Sequence, residues 1–122
     1  ASKTINVPKD IVNKFIKFCE KILDNIASVS GVNAFKIAYS FKFKDTQTEG
    51  YDLNLFFNTL QEICYNRIKE YNFNVEKLIT AGKLANTIRL CTKYKNEINL
   101  TGVKKDSSFD MFILDLRDVW RG

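Results

Sequence analysis

Histidine is the most informative absence in this chain. None occurs among the 122 residues, so Ser-His-Asp triads, Cys-His dyads and histidine-containing zinc sites are excluded. No glycine pattern resembles a loop that cradles phosphate. We therefore predict a protein that is not an enzyme, with no cofactor and no bound metal.

Proline and glycine are also scarce. One Pro and five Gly leave little material for long loops. The hydrophobic content of 45% and the charged content of 27% are ordinary for a globular chain, and ten Phe predict a bulky core. The length fits one domain. We expect residues 1–122 to form a single compact domain.

The chain has only three cysteines, Cys19, Cys64 and Cys91, and no Cys-x-x-Cys motif. Each falls on an apolar helical stripe, which is typical of buried free thiols in a reducing cytosol. No uninterrupted apolar run approaches the length that spans a membrane. We expect an intracellular, cytoplasmic protein that does not associate with membranes.

Residues 33–44 alternate strictly between large apolar and small or basic side chains. The apolar positions are Phe35, Ile37, Tyr39, Phe41 and Phe43. This period predicts a β-strand with one buried face, and it sends Lys36, Lys42 and Lys44 to the opposite face. Because the aromatic and basic side chains part across the pleat, we do not expect both to contact one ligand.

A lone strand must pair its backbone hydrogen-bonding groups with a neighbour. The candidate partners within the chain are Thr4–Val7, Ile98–Val103 and the C-terminal apolar run. The same strand of a second copy is a further candidate, which would make a homodimer by strand addition.

Apolar residues at spacings of three and four predict helices over much of the remaining chain. The first begins near Asn6 and ends at Gly31, the second is capped by Asp52, and the third runs from a cap at Asn74 to about Asn96. From a capping box at Ser107, the C-terminal run favours a helix over a strand. The predicted fold class is α+β, mostly helical, with three to four helices packed on the aromatic face of a small antiparallel sheet containing the strand 33–44.

The third predicted helix has two different faces. Its predicted core face is made of Leu78, Ala81, Leu84, Ala85, Ile88 and Cys91. Its outer face mixes aliphatic side chains with cations: Ile79, Lys83, Asn86, Leu90 and Lys93. Aliphatic side chains that share an outward face indicate a contact with a partner protein. The alternative is that the C-terminal segment buries this face.

The net charge is +5 and the sequence pI is near 9.1, which favours anionic partners. Most of this charge is lysine, which contacts phosphate as a point charge, whereas arginine reads bases better. An AT-rich genome explains the lysines equally well. If nucleic acid is bound, we expect weakly sequence-specific backbone contacts from Lys36, Lys42, Lys44, Lys104 and Lys105.

A metal site made of Asp and Glu side chains is the remaining possibility for catalysis. Acidic residues crowd two segments: Asp106, Asp110, Asp115 and Asp118 near the C-terminus, and Asp45, Glu49 and Asp52 after the predicted strand. Hard cations accept such ligands, and two-metal nucleases use them. Turn residues, helix caps and solvated faces explain the same acids without a metal.

Three functions follow from these patterns. The first is a small basic accessory protein that associates with nucleic acid through its lysines. The alternative is a protein-interaction module, such as an adaptor, inhibitor or assembly subunit, that uses the outer face of the third helix. The least favoured is a carboxylate-metal hydrolase.

Overall fold

The computed structural model describes residues 9–28, 32–33, 36, 49–98 and 105–121. Its helices are α1 (Lys9–Asn25), α2 (Glu49–Tyr71), α3 (Leu78–Ile98) and α4 (Lys105–Arg121), and a 3₁₀ turn, Val75–Lys77, precedes α3. None of these helices combines the length and apolar character needed to cross a bilayer.

The predicted α+β class is wrong. Within the described ranges, 93% of the residues are helical and none is in a strand. Asn33 and Lys36 belong to the predicted strand and have helical backbone, and the other residues of 33–44 lie outside the described part. The C-terminal run, one candidate strand partner, is α4, and Ile98 ends α3. A helix pairs its own backbone groups, so these segments offer no ladder to a strand. Dimerisation by strand addition stays a prediction, because residues 34, 35 and 37–44 of the predicted strand lie outside the described part.

The helix boundaries agree in part with the sequence. Asn74 is a helix cap as predicted, but it caps the 3₁₀ turn Val75–Lys77 that leads into α3: its Oδ1 accepts a hydrogen bond from the Glu76 backbone N–H at 3.0 Å. Helix α4 confirms the helical interpretation of the C-terminal run, but it begins before Ser107. Asp52 lies within the first turn of α2 and not at its cap. Helix α1 gives way to a turn at residues 26–28, short of Gly31.

Helices α2 and α3 form an antiparallel hairpin. Gln61 Nε2 donates to Thr92 Oγ1 at 2.8 Å and to the Ile88 carbonyl at 3.0 Å. Lys95 Nζ donates to Asn58 Oδ1 at 2.8 Å, one turn earlier on α2. The pairing of earlier residues on α2 with later residues on α3 establishes the antiparallel direction, and these side chains set its register.

An aromatic cluster joins the hairpin to the other helices. The ring of Phe56 on α2 lies 5.9 Å from Phe18 on α1, and 5.2 Å and 5.8 Å from Phe109 and Phe112 on α4. Tyr94 on α3 meets Phe112 edge-on at 5.6 Å. Edge-to-face contacts of this kind add to the free energy of burying the rings. Phe56 is thus at the junction of α1, α2 and α4.

Hydrogen bonds join the C-terminal end of α4 to α3. Trp120 Nε1 donates to Thr87 Oγ1 at 2.9 Å, and the Thr87 hydroxyl donates to the Lys83 carbonyl at 2.8 Å. Lys83 Nζ in turn donates to the Trp120 carbonyl at 2.9 Å. The indole N–H and the backbone carbonyl of Trp120 are therefore both hydrogen-bonded, which lets the large ring be partly buried between the helices.

The far end of the hairpin lies outside the core. Buried residues of α2 end at Cys64, and those of α3 begin at Leu84. No residue from 65 to 83 is buried. Ile68 and Tyr71 near the end of α2 are half-buried and still pack against the core, whereas the connecting turn and the first residues of α3, 72–79, are exposed and project beyond it in the part that the structure describes.

We expect Phe56→Ala to lower the free energy of unfolding by about 3–5 kcal/mol, because the change removes a fully buried ring that contacts rings of two other helices, α1 and α4. Urea unfolding followed by circular dichroism measures this loss. Tyr65→Ala is the matched control on the same helix, since Tyr65 is exposed; its effect should be within about 0.5 kcal/mol. Equal losses for the two variants would contradict the assigned core.

Candidate functional site

The lysines predicted to contact nucleic acid are only partly described. Lys36 is exposed, and Lys105 is the first residue of α4. Lys42, Lys44 and Lys104 lie outside the described residues. These positions establish neither a surface nor a spacing for the set, so the nucleic-acid contact stays a prediction.

The predicted partner face of α3 divides into two parts. Ile79 is 77% exposed. Leu90, by contrast, packs against the core, and Lys83 is held by the Trp120 carbonyl. Lys83 therefore contacts the C-terminal helix, as the alternative interpretation expected for this face, and Leu90 is half-buried.

Two polar members of the predicted face make local contacts. Asn86 accepts a hydrogen bond from Arg89 one turn later on α3. Lys93 places its Nζ 5.4 Å from the ring centroid of its neighbour Tyr94. Both are exposed. Of the two aliphatic members of the face, Ile79 is exposed and Leu90 packs against the core, so the exposed apolar part lies at the N-terminal end of α3.

A cluster of exposed apolar side chains surrounds Ile79. Phe73 is 96% exposed, Val75 76% and Leu78 61%. Val75, Leu78 and Ile79 are separated by three and four residues, so they are neighbours on one helical surface. Leu78 was predicted to be core, and that prediction is wrong because the core stops at Leu84. We call Phe73, Val75, Leu78 and Ile79 the hairpin tip.

The backbone of the turn between α2 and the 3₁₀ turn also has an unusual conformation. Asn72 and Phe73 both have positive φ, 49° and 61°. The Asn74 N–H donates to the Tyr71 carbonyl at 2.9 Å, which closes a four-residue turn around them. Two successive residues with positive φ are the pattern of turns that prefer Asn-Gly. Phe73 occupies the glycine position, where a residue with a β-carbon costs about 1–2 kcal/mol.

Burial of the Phe73 side chain does not offset this strain. Its side chain is almost wholly in water, and a water-exposed ring contributes little to the stability of the folded chain. Backbone strain that is not offset by packing within the protein is found at sites that bind a ligand or a partner. The strain and the exposure therefore make Phe73 a candidate contact residue.

A cleft lies beside the tip, between the end of α2 and the start of α3. It encloses about 310 Å³ and is lined by Ile68, Lys69, Tyr71, Asn72, Phe73, Asn74, Lys77, Leu78 and Ala81. The lining is mainly apolar, and the volume is at the small end of the range for binding clefts.

Two lysines at the cleft are held over tyrosine rings. Lys69 Nζ lies 5.4 Å from the Tyr65 centroid, and Lys77 Nζ lies 5.5 Å from the Tyr71 centroid. Both distances are in the range of a cation–π contact, which orders the ammonium groups without neutralising them. No Asp or Glu is among the described residues that line the cleft. The cleft therefore combines an apolar floor with two positive charges.

The carboxylates predicted as possible metal ligands are the next candidates. The described residues contain no group of three or more metal-ligating side chains. Asp115, one of the predicted carboxylates, accepts a hydrogen bond from the Tyr94 hydroxyl at 2.5 Å. Burial and this hydrogen bond raise the pKa of Tyr94 above its ordinary value. Asp115 therefore helps to pair α4 with α3.

The three cysteines are buried free thiols, as predicted. Burial raises the pKa of Cys64 to about 12 and raises the pKa of Cys19 and Cys91 as well. A nucleophilic cysteine needs the thiolate form, which these shifts disfavour. The thiols belong to the core.

Sequence reasoning included Ile79 in its candidate surface but missed Phe73, Val75 and Leu78. A signal for them was present in the segment Asn72-Phe73-Asn74, where a turn between two helices carries a large aromatic residue between two asparagines. Turn positions of this kind are exposed, so an aromatic residue there is not a core residue.

We expect Phe73→Gly to raise the free energy of unfolding by about 1 kcal/mol, because glycine adopts positive φ without strain and the lost ring is exposed. Phe73→Ala is the matched control. It removes the ring but keeps the β-carbon, so the stability should change little. Thermal unfolding of both variants measures the difference; a Phe73→Gly variant less stable than Phe73→Ala would contradict the assigned turn.

No family model, no curated protein and no solved structure matches this chain. The function is therefore proposed from the geometry and chemistry of the chain's own residues.

Proposed function

We propose that this protein is a protein-interaction module that binds its partner with the hairpin tip. The observation that carries the proposal is the exposure of four large apolar side chains within seven residues, Phe73 to Ile79, at the end of a hairpin that projects from the core. Contiguous apolar surface of this kind marks sites of association.

The composition of the tip favours a protein as the partner. Three of its four side chains are aliphatic, and aliphatic groups gain free energy by leaving water for another apolar surface. Single-stranded nucleic acid is held instead by base stacking on several aromatic residues. The single ring of Phe73 beside Val75, Leu78 and Ile79 is better suited to an apolar protein surface.

The arrangement also suits binding mechanically. The antiparallel α2–α3 hairpin is cross-linked by side-chain hydrogen bonds at Gln61 and Lys95, and the turn is closed by backbone hydrogen bonds. A surface fixed on rigid elements loses little conformational entropy when it binds. The tip needs no rearrangement to present Phe73.

We expect a double variant, Phe73→Gly with Ile79→Asp, to lose the partner while staying folded. Glycine relieves the turn, and an aspartate in the first turn of α3 complements the positive end of the helix dipole. The measurement compares proteins captured from an extract of the source cells by the wild type, the double variant and Met111→Asp. Met111 is 52% exposed on α4 and is the matched control.

A partner of the tip is captured by the wild type and by Met111→Asp but not by the double variant. Circular dichroism of all three chains checks that they are folded. If the double variant captures the same set of proteins as the wild type, the tip is not the binding surface and the proposal is wrong.

Nucleic-acid association is a second candidate, supported by the net charge of +5. It uses the predicted set Lys36, Lys42, Lys44, Lys104 and Lys105. We expect binding to labelled duplex and single-stranded oligonucleotides to weaken steeply as salt rises, by about tenfold or more between 50 and 200 mM when several phosphates are contacted.

Replacing Lys36, Lys42 and Lys44 with Gln should make that salt dependence shallower, because fewer counterions are released on binding. Replacing Lys14, Lys17 and Lys21 on α1, which are exposed, removes the same charge from a different surface and is the control. Binding that is absent, or that does not change with salt, would remove this candidate.

A further inference from the structure

We propose that the cleft beside the hairpin tip binds an acidic peptide segment that carries an aliphatic or aromatic anchor side chain. This inference rests on the proposed function and names the chemistry of the partner. The anchor occupies the apolar cleft between Ile68, Tyr71, Leu78 and Ala81, and carboxylates next to it pair with Lys69 and Lys77.

The volume of the cleft is suited to a side chain. At about 310 Å³, it is near the lower limit for a site that encloses a small-molecule ligand. A single large apolar side chain, with the flanking backbone lying over Phe73, is an occupant on this scale. Anchors of this type, inserted into a small apolar cleft, supply much of the free energy of many protein interfaces.

The positive charge of the cleft favours a peptide with negative charge. Lys69 and Lys77 are the charged residues in the described lining, and both ammonium groups are positioned over tyrosine rings. Glu70 and Glu76 lie in the same stretch of chain but do not line the cleft. A basic peptide would be repelled by these two cations, whereas carboxylates flanking the anchor would pair with them.

The same charges disfavour a second copy of this chain as the occupant. A two-fold contact brings one surface patch against its own copy. Lys69 and Lys77 of one copy would then lie near Lys69 and Lys77 of the other, with no acidic residue in the described lining to compensate. Like charges across an interface cost free energy.

The experiment selects peptides from a displayed random library of about 12 residues, with the full chain as the target. Sequences retained by the wild type and lost on Phe73→Gly are read out. We expect them to be rich in Asp and Glu around one Leu, Ile, Phe or Trp. Tip-dependent sequences without net negative charge would overturn the inference and leave the proposed function standing.

A selected peptide is then titrated against charge variants. Lys69→Gln with Lys77→Gln should weaken binding by about fivefold to tenfold at low salt and flatten its salt dependence, because two ion pairs are lost. Lys14→Gln with Lys17→Gln on α1 makes the same change in net charge and should leave affinity within about twofold. Equal weakening by both pairs would overturn the inference, since it would show attraction to the overall charge alone.

Two further results would overturn it. One is a selection that yields no tip-dependent sequence, while the capture experiment with the double variant still identifies a partner; the partner then binds by other chemistry. The other is tight binding of a labelled oligothymidine that Phe73→Gly abolishes, which would assign Phe73 and the two lysines to nucleic acid.

Discussion

The packing of Phe56 determines the rest of this architecture. Its ring contacts Phe18 of α1 and the paired rings of Phe109 and Phe112 on α4, so one residue of α2 connects three helices. Tyr94 brings α3 to the same cluster through Phe112. Because the rings are in close contact, a shift of any one helix would open gaps that the others do not fill. The cluster lies toward one end of the α2–α3 hairpin, and this leaves the other end to extend beyond the core.

The position of the cluster explains why the hairpin tip is exposed. Helix α4 reaches α3 only as far as the contact between Trp120 and Lys83, and no residue between 65 and 83 is buried. The apolar residues that follow the turn therefore meet water, although helical spacing alone would place Leu78 in the same row as the buried Leu84. The tip also contains Phe73 at positive φ, so folding places a strained aromatic residue at the most open point of the hairpin. A chain selected only for stability would have a glycine there.

Structural features that depend on residues close in sequence were predictable, whereas those that depend on long-range contacts were not. Helical periodicity and capping depend on residues a few positions apart, which is why the helix from Asn74, the C-terminal helix and the buried cysteines were predicted correctly. The alternation in 33–44 is equally local, and it misled because an amphipathic pattern does not state whether backbone partners exist. Of the candidate partner segments, the C-terminal run is helix α4, and Asn33 and Lys36 are helical themselves; Thr4–Val7 and residues 99–103 lie outside the described part. The predicted partner face of α3 also depends on long-range contacts, because Leu90 packs against the core and Lys83 donates to the Trp120 carbonyl.

By itself, the amino-acid sequence determined the absence of histidine chemistry, the positive net charge, the helical character of most segments and the burial of the three thiols. Each of these follows from composition or from contacts within one or two turns. Only the tertiary structure decided where α4 ends against α3, which apolar residues of the hairpin remain in water, and that Lys69 and Lys77 flank one cleft. Those facts depend on which helices meet and how far they overlap. A long-range aromatic cluster fixes that overlap, and the local pattern of the chain does not encode it.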